Sequence, residues 1–255
     1  MNRYDNIGWI CRYLLDEDRR YSQMAVPDSL AERQVLMRSL LNIRPPRPVS
    51  EDFLQAQDAE LQAQLKEKGV VEISGPRLLE WQGDITRLKV DAIVNAANSQ
   101  MLGCFVPMHR CIDNAIHSAA GVQLRLACAE MMQGAEEPVG SARITPGFNL
   151  PARYVLHTVG PIATTARPLR QQEAQLASCY RSCLDLADGN GLQSIAFCCI
   201  STGEFRFPND LACEIAVRTV RGYIASHPET SIHTVIFNTF KDIDHELYQN
   251  ALAEG

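Results

Sequence analysis

The chain has 255 residues, of which 46% are hydrophobic and 21% charged, a composition typical of one large globular domain or of one domain with an appendage. Its net charge of −6 and isoelectric point near 5.5 argue against broad non-specific binding to nucleic acid or to an anionic membrane. No apolar run approaches the roughly 20 residues of a membrane span, and the opening residues lack the pattern of a secretory signal. Nine cysteines without an export signal indicate a reducing compartment, so we expect a cytoplasmic protein.

The N-terminal part of the chain is predicted to be entirely helical. Apolar residues recur at helical spacing over residues 7–16 and 29–42. A third helix is expected between Ser50 as its N-cap and Gly69 at its end. On the second helix, five apolar residues are expected to share one face: Leu30, Val35, Leu36, Leu40 and Leu41. Residues 1–69 are therefore predicted to form a helical N-terminal extension.

From residue 70 onward, short β-branched runs alternate with helical stretches. The predicted strands are "VVEIS", "AIVNAA", "ARITPG", "YVLHTVG", "SIAFCCI" and "HTVIFN". Residues 170–189 and 208–227, between the later runs, carry apolar residues at helical spacing. This alternation predicts an α/β domain over residues 70–255, with helices covering a mostly parallel or mixed sheet. Ligands of such sheets bind beyond the carboxyl ends of the strands, which draws attention to the loops that follow them.

The loop after "SIAFCCI" has the composition of an anion-binding turn. Ser201, Thr202 and Gly203 offer hydroxyl and backbone N–H groups without a bulky side chain that would block a phosphate. A helix is expected to follow near Pro208. Most turns of this kind only connect two elements, so the local sequence leaves both interpretations open.

Two polar residues next to predicted strands have both a binding and a structural interpretation. Asn98, after "AIVNAA", can donate to and accept from a sugar hydroxyl, or it can close the turn after the strand. Asp84, in "WQGDIT", can accept a hydrogen bond from an exocyclic amine, or it can cap a turn. For Asp84 the local sequence favours the cap.

A cluster of cysteine and histidine follows Asn98 in the same loop. Cys104, His109 and Cys111 have the spacing C-x4-H-x-C, and thiolate and imidazole are the ligands that zinc prefers. No second cysteine pair with zinc-finger spacing lies nearby, which favours an open three-ligand site over a closed structural one. Because the chain is rich in cysteine throughout, a chance cluster of small apolar residues is the alternative.

Five motifs in order, "GDIT", "VDAIVNAAN", "IDNAIHSAAG", "YVLHTVGP" and "ISTGEFRFP", resemble a macrodomain, the ADP-ribose-binding module, from about residue 78 to the C-terminus. The resemblance implies a three-layer α/β/α fold with ADP-ribose in a cleft over the strand ends. It implies that Asp84 and Ile85 meet the adenine, that Asn98 faces the distal ribose and that Phe240 packs against the ligand. The diphosphate would be held by five consecutive loop residues: Ser201, Thr202, Gly203, Glu204 and Phe205.

The stretch "MLGCFVPMHRC" departs from the glycine-rich run of MacroD-type hydrolases and resembles the zinc-containing microbial branch of macrodomains. By that resemblance Cys104, His109 and Cys111 hold zinc, and Asp113 stands at the place of the acidic residue beside the distal ribose. Members of this branch carry a helical N-terminal extension, which residues 1–69 fit. Some members are encoded beside a lipoyl-carrier protein, so such a carrier is a candidate for the modified substrate.

The resemblance implies a zinc-dependent hydrolase that removes mono-ADP-ribose from modified proteins, with Zn²⁺ as cofactor and with Asn98 and Asp113 as catalytic residues. Two other functions stay open: a reader that binds ADP-ribose without turnover, and a deacetylase of O-acetyl-ADP-ribose. The combination of Asp113 with a metal triad favours catalysis, because recognition alone requires neither. We expect a monomer that binds neither nucleic acid nor membranes.

Overall fold

A six-stranded mixed sheet forms the centre of the protein, whose computed structural model describes residues 1–165 and 167–254. The strands are β1 (Leu78–Gln82), β2 (Ala92–Ala97), β3 (Ala142–Pro146), β4 (Tyr154–Val159), β5 (Ser194–Phe197) and β6 (Thr234–Thr239). They lie in the order β1-β6-β5-β2-β4-β3. Neighbouring strands are parallel except at the edge, where β3 runs antiparallel to β4. The mixed sheet expected from the sequence is thereby confirmed.

The described residues form eight α-helices. They are α1 (Arg3–Asp16), α2 (Leu30–Ile43), α3 (Glu51–Lys68), α4 (Ile112–Ala120), α5 (Val122–Met132), α6 (Arg170–Gly189), α7 (Asn209–Ser226) and α8 (Asp242–Ala253). The predicted cap of α3 is confirmed, because the Ser50 hydroxyl accepts from the backbone N–H of Phe53. Across the described ranges, no helix combines the length and the apolar character needed to cross a bilayer.

Helices cover both faces of the sheet. Helices α6, α7 and α8 pack in sequence beside one another, with α6 on β3 and β4 and α8 on β1 and β6. Helices α4 and α5 pack together, and α4 lies on β2. Because the central strands are covered on both sides, β2 and β5 carry long runs of fully buried residues such as Ile93, Val94 and Ile195. The arrangement is the three-layer α/β/α fold.

The N-terminal helices have a hydrophobic core of their own. Ile7, Leu15, Met37 and Phe53, from α1, α2 and α3, are buried against one another. Val122 of α5 belongs to the same cluster, so this core continues onto the sheet domain. The three helices therefore pack against the domain as a body, and a boundary between residues 69 and 70 stays a prediction.

The run "VVEIS" was expected to be the first strand, and this prediction is wrong. Val71 forms only an isolated bridge with Leu88, whereas the strand beside β6 is β1, with the sequence "LLEWQ". The sequence pattern missed β1 because it contains no β-branched residue. Pairing along the whole of β6 outweighs the intrinsic preference of the residues.

Val35 was expected on the buried face of α2 and is instead half exposed. The buried residues of that helix are Met37, Leu40 and Leu41. Val35 precedes Leu40 by five residues, which turns it about 140° away around the helix axis. It therefore points out of the extension core and lines the large cleft described below.

Candidate functional site

The sheet has a topological switch point between β2 and β5. After β2 the chain continues to β3 and β4 on one side, and after β5 it continues to β6 on the other. The loops at the carboxyl ends of β2 and β5 therefore diverge and leave a crevice between them. A cleft of about 1420 Å³ opens at this point and is lined by both loops and by the turn after β1. This volume exceeds the roughly 300–1,000 Å³ of an ordinary small-molecule pocket.

The Cys–His loop, residues 104–111, brings together the three metal-ligand candidates of the sequence. The sulfur atoms of Cys104 and Cys111 and a ring nitrogen of His109 all lie within 4.8 Å of one another. Cys104 Sγ is 3.5 Å from His109 Nδ1. Cys111 is the N-cap of α4 and accepts from the backbone N–H of Asn114 at 3.4 Å. The spacing C-x4-H-x-C therefore places all three donors at one point on the wall of the cleft.

The donor set suits a thiophilic divalent cation. Two thiols and one imidazole are a zinc-type set, and three protein ligands leave a fourth position for water or substrate. Burial raises the pKa of Cys111 to about 12, although the N–H of Asn114 favours its thiolate. A bound cation would offset this penalty, because its charge stabilises the thiolate and displaces the proton.

A second group of potential ligands lies deeper in the fold. His117, Cys128 and His157 are buried, and one donor atom of each lies within 4.8 Å of the other two. Both ring nitrogens of His157 already have partners: Nδ1 contacts Asn95 Nδ2 at 3.2 Å, and Nε2 contacts Thr145 Oγ1 at 2.9 Å. Because the ring nitrogens of His157 are engaged by these neighbours, the Cys–His loop is the better metal site, although both ring nitrogens of His117 have no hydrogen-bond partner among the described residues.

Asp113 connects this buried cluster to the cleft. Its Oδ1 accepts from Asn95 Nδ2 at 2.8 Å, and Asn95 in turn contacts His157. His117 Nε2 lies 3.5 Å from the same carboxylate oxygen. Burial raises the pKa of Asp113 to about 6, although the bond from Asn95 favours the ionised form. Asp113 lines the cleft together with residues of the Cys–His loop, and its role beside a distal ribose stays a prediction. Asn95, which holds the Asp113 carboxylate, was not predicted from the sequence, although a polar residue inside an otherwise apolar strand can indicate a functional site.

The buried histidine predicts a pH dependence of stability. Burial lowers the pKa of His157 from 6.5 to about 4. Between these two pH values the imidazole is neutral in the folded protein but protonated in the unfolded chain. Its stability contribution is complete above pH 6.5 and is lost as the pH falls toward 4. We expect His157 to account for about 2 kcal/mol of the unfolding free energy lost between about pH 7.5 and about pH 5.

Urea denaturation of wild type and of His157→Gln at both pH values measures this contribution. Glutamine can replace both ring hydrogen bonds but does not titrate, so the variant should lose less stability on acidification. Asp113, whose pKa is raised, and His117, whose pKa burial lowers, titrate in both proteins. Because His157 also lowers the pKa of His117, the difference between the two proteins includes a smaller contribution from His117. Equal losses in the two proteins would show that His157 is not the titrating group.

The loop after β5 is shaped to hold an anion. Among the described residues, the backbone N–H groups of Gly203, Glu204 and Phe205 donate no hydrogen bond within the protein. Ser201 has a φ of 67°, and its buried hydroxyl has no partner among the described residues. Consecutive unpaired donors of this kind form a concave nest for phosphate. The structure thus favours the anion-binding interpretation of this turn over that of a plain connection.

Gly160 at the end of β4 makes room for this loop. A Cβ atom at this position would lie 2.1 Å from Ser201 Oγ and 2.9 Å from Ile200 Cγ2, so both side chains would have to move. The glycine of "HTVGP" therefore permits the close approach of two strand-end loops. The Cys–His loop and the loop after β5 also approach each other at the cleft, where His109 Nε2 lies 3.6 Å from Glu204 Oε1.

Asn98 and Asp84 each stabilise a turn, as their structural interpretations predicted, and both also line the cleft. Asn98 Oδ1 accepts from the backbone N–H of Gln100 at 3.1 Å, which closes the turn after β2. Asp84 Oδ1 accepts from the N–H and the hydroxyl of Thr86 at 3.0 and 2.6 Å. Burial acts to raise the pKa of Asp84, but these bonds and the charge of Lys68 outweigh it, so the pKa is lowered.

The other predicted binding residues also line the cleft. Ile85 follows Asp84 in the lining of the cleft, but the residue is only 2% exposed, so little of its surface can meet a ligand. Phe240, just after β6, is 78% exposed at the cleft edge and can close over a bound ring. Their contacts with a ligand stay predictions.

The N-terminal extension supplies a wall of the cleft that the sequence did not indicate. Gln34 and Arg38 of α2 and Gln64 and Lys68 of α3 line it. Lys68 Nζ lies 3.3 Å from Asp84 Oδ2, so the end of α3 meets the turn after β1. A helix read from sequence alone shows which residues share a face but not which surface that face meets.

Comparison with known proteins agrees with this geometry. A family model described as "Macro domain" matches residues 94–216. A protein of Treponema medium named "Protein-ADP-ribose hydrolase" is 48% identical over 256 residues, covering 96% of this chain and 97% of that protein. The chain belongs to the macrodomain family. A protein of the same name from Staphylococcus aureus is 48% identical over 250 residues, covering 94% of this chain and 93% of that protein.

Solved macrodomain structures share the fold. The Oceanobacillus iheyensis macrodomain with ADP is 38% identical with a TM-score of 0.61, and the match covers 69% of this chain and 90% of that one. The Trypanosoma brucei macrodomain in complex with ADP-ribose is 30% identical with a TM-score of 0.62, covering 81% and 92%. The macrodomain predicted from the five motifs is confirmed. Because the full-length relatives cover 96% and 94% of this chain, their similarity extends into its N-terminal helices.

Proposed function

We propose that this macrodomain hydrolyses the bond between ADP-ribose and a modified protein. One observation supports it most: the Cys–His loop and Asp113 line the same cleft as the loop after β5, whose backbone N–H groups at residues 203–205 have no partner within the described part of the chain. An anion-binding loop alone would be sufficient for a protein that only binds ADP-ribose. A set of metal ligands with a buried carboxylate beside it is instead typical of a hydrolytic active site. Relatives named for this activity, at 48% identity, support the same proposal.

The cofactor proposed for the site is zinc, held by Cys104, His109 and Cys111. The donor set and the convergence of the three donor atoms within 4.8 Å support it. When bound, zinc supplies Lewis-acid activation of an oxygen atom next to the anomeric carbon. Free thiols are typical of reducing compartments, which supports the proposal of a cytoplasmic location for the protein.

The chain's own residues would fix the nucleotide. The N–H groups of residues 203–205 and the Ser201 hydroxyl would hold the diphosphate, and Asp84 would accept from the adenine amine through its partly engaged carboxylate. Asn98 would bond a hydroxyl of the distal ribose. Held at both ends, the sugar would present its anomeric carbon in one orientation, and this positioning lowers the entropic part of the barrier.

Asp113 is proposed to act as the general base that takes a proton from the attacking water. A water molecule would add its oxygen to the anomeric carbon while the bond from that carbon to the acceptor side chain breaks. One proton of the water would pass to the Asp113 carboxylate, the departing acceptor would take up a proton from solvent, and Asp113 would then release its proton to solvent, so that free ADP-ribose and unmodified protein result. Burial of Asp113 favours this role, because a carboxylate in a dry site binds a proton more strongly than an exposed one.

The proposal is tested by offering the protein three substrates in parallel. Mono-ADP-ribosylated protein, O-acetyl-ADP-ribose and free ADP-ribose are each incubated with enzyme whose metal content has been measured, with and without a chelator. We expect release of ADP-ribose from the protein, and we expect chelation to abolish it. Binding of free ADP-ribose with no release would instead identify a reader, and turnover of the acetyl ester alone would identify a deacetylase.

The acceptor itself is an open part of the proposal. A lipoyl-carrier protein bearing ADP-ribose is the candidate that the resemblance implies, and it belongs among the substrates of the same assay. We expect the enzyme to act as a monomer, since one chain contains every residue proposed for the site.

A further inference from the structure

The Cys–His loop has no helix or strand of its own to hold its three donor atoms. It belongs to the segment of turns and bends that connects the end of β2 to the start of α4. Phe105, Val106 and Met108 on this loop are exposed, at 38%, 55% and 39%. A loop with so little internal support keeps one geometry only if neighbouring elements hold it in place.

Arg38 of helix α2 reaches this loop from the N-terminal extension. Its Nη2 donates to Asn114 Oδ1 at 2.9 Å and approaches the backbone carbonyl of His109 at 3.4 Å. Asn114 in turn donates from Nδ2 to the carbonyl of Val106 at 3.0 Å, and its backbone N–H donates to Cys111 Sγ. Arg38 and Asn114 together therefore bind the loop at three points, two of which belong to potential ligands.

Asn42, one turn further along α2, holds the loop near its middle. Its Oδ1 accepts from the backbone N–H of Met108 at 3.0 Å, and its Nδ2 donates to Ser118 Oγ at 3.0 Å. Met108 has a φ of 56°, a left-handed conformation that a non-glycine residue adopts at a cost of about 1–2 kcal/mol. Asn42 is 1% exposed, so this bond is made away from water and stabilises the strained turn.

Arg125 of α5 joins the end of α2 to the start of the loop. Its Nη1 donates to the carbonyls of Leu41 and Arg44 at 2.9 and 2.6 Å. Its Nε donates to the carbonyl of Leu102, two residues before the loop, at 2.7 Å, and its guanidinium lies over the ring of Phe105, within the loop, at 4.3 Å. The C-terminal half of α2 is therefore tied to the beginning, the middle and the end of the loop.

We propose that helix α2 of the N-terminal extension is an integral part of the metal site, with Arg38 as its principal positioning residue. The inference rests on the proposed metal site in the Cys–His loop and adds to it a role for the extension. Arg38 would not ligate the metal; it would orient Asn114 and the His109 backbone so that the three donor atoms converge before a cation arrives. Groups that orient ligands in this way raise metal affinity by preorganisation.

Metal affinity of purified full-length protein tests the proposal without any catalytic assay. Zinc binding is measured by competition with a chromophoric chelator, and cobalt substitution reports the ligand geometry through its visible absorption. Arg38→Ala should weaken zinc binding by about 10- to 100-fold and alter the cobalt spectrum. Arg38→Lys should recover part of the affinity, and Asn42→Ala should weaken binding by about threefold to tenfold.

Arg33 of the same helix is the matched control. It is partly buried like Arg38, but its hydrogen bonds go to Pro27 and Tyr4 inside the extension. Arg33→Ala should therefore leave zinc affinity within about threefold of wild type, since the two sites share no partner. Equal effects of Arg33→Ala and Arg38→Ala would overturn the proposal, because general loosening of the extension would then explain both.

Two further outcomes separate this inference from the proposed function. Unchanged zinc affinity in Arg38→Ala, with zinc binding lost in Cys104→Ala, would overturn the role of Arg38 and leave the metal site standing. Weaker ADP-ribose binding with unchanged zinc affinity would identify Arg38 as a substrate contact instead. A wild-type protein that binds neither zinc nor cobalt would overturn the metal site and this inference together.

Discussion

Replacing Cys104 with alanine is expected to weaken zinc binding by more than about 100-fold and to reduce release of ADP-ribose by a similar factor. Three donors converge in the Cys–His loop, and loss of one thiolate leaves a two-ligand set too weak to retain the cation. Cys104 is only partly buried, so its truncation should cost little folding free energy. Metal content after dialysis and the rate of ADP-ribose release from a modified protein measure the two effects.

Cys213 offers the control for this variant. It lies buried on α7 in the core of the sheet domain, and it lines neither the cleft nor the Cys–His loop. Cys213→Ala should therefore retain zinc and activity even if it loses a little stability. Release of ADP-ribose at the wild-type rate by metal-free Cys104→Ala would contradict a role for the metal in turnover.

Asp113→Asn is expected to separate binding from chemistry. The asparagine side chain has the same shape and can still accept from Asn95 at the Oδ1 position, so the buried contacts stay close to those of the wild type. It cannot take a proton from water, and loss of a general base typically costs about 100- to 10,000-fold in rate. We expect kcat to fall within that range while the Kd of ADP-ribose, measured by calorimetry, changes less than about threefold.

Asp84→Asn should give the opposite pattern. Asp84 lines the cleft and is proposed to meet the adenine; the amide can keep one bond to Thr86 but loses the negative charge that the proposal assigns to this contact. The Kd of ADP-ribose should rise about tenfold, with kcat nearly unchanged. Equal loss of binding in the two variants would mean that Asp113 holds the nucleotide, and unchanged turnover in Asp113→Asn would remove it from the mechanism.

The cysteine pattern of the sequence predicts one of the two clusters of potential metal ligands. Nine cysteines are present, and the spacing of Cys104, His109 and Cys111 within a strand-to-helix loop marked the set whose donor atoms converge. A second convergent group, which includes Cys128 and His157, could not be found from sequence. Its members come from three separate elements, and only the packing of α4 and α5 against the sheet brings them together.

The first strand and the position of Val35 on α2 were predicted wrongly from the sequence. Strand β1 lacks the β-branched residues that identify a strand, and it exists because β6 offers a complete edge for pairing. Val35 follows the apolar pattern of α2 but lies outside its buried face. Both errors come from tertiary context, which local propensity and periodicity do not contain.

The sequence by itself determined the α/β class, the helical nature of residues 1–69, the order of the macrodomain motifs and the residue types that make up the candidate site. These follow from periodicity, from turn and cap residues, and from donor spacing within single loops, all of which are local properties of the chain. The tertiary structure alone decided that α2 and α3 form a wall of the cleft and that Arg38, Asn42 and Arg125 hold the Cys–His loop. Those contacts join residues far apart in sequence, and their partners are set by how the helices pack on the sheet and not by any local pattern.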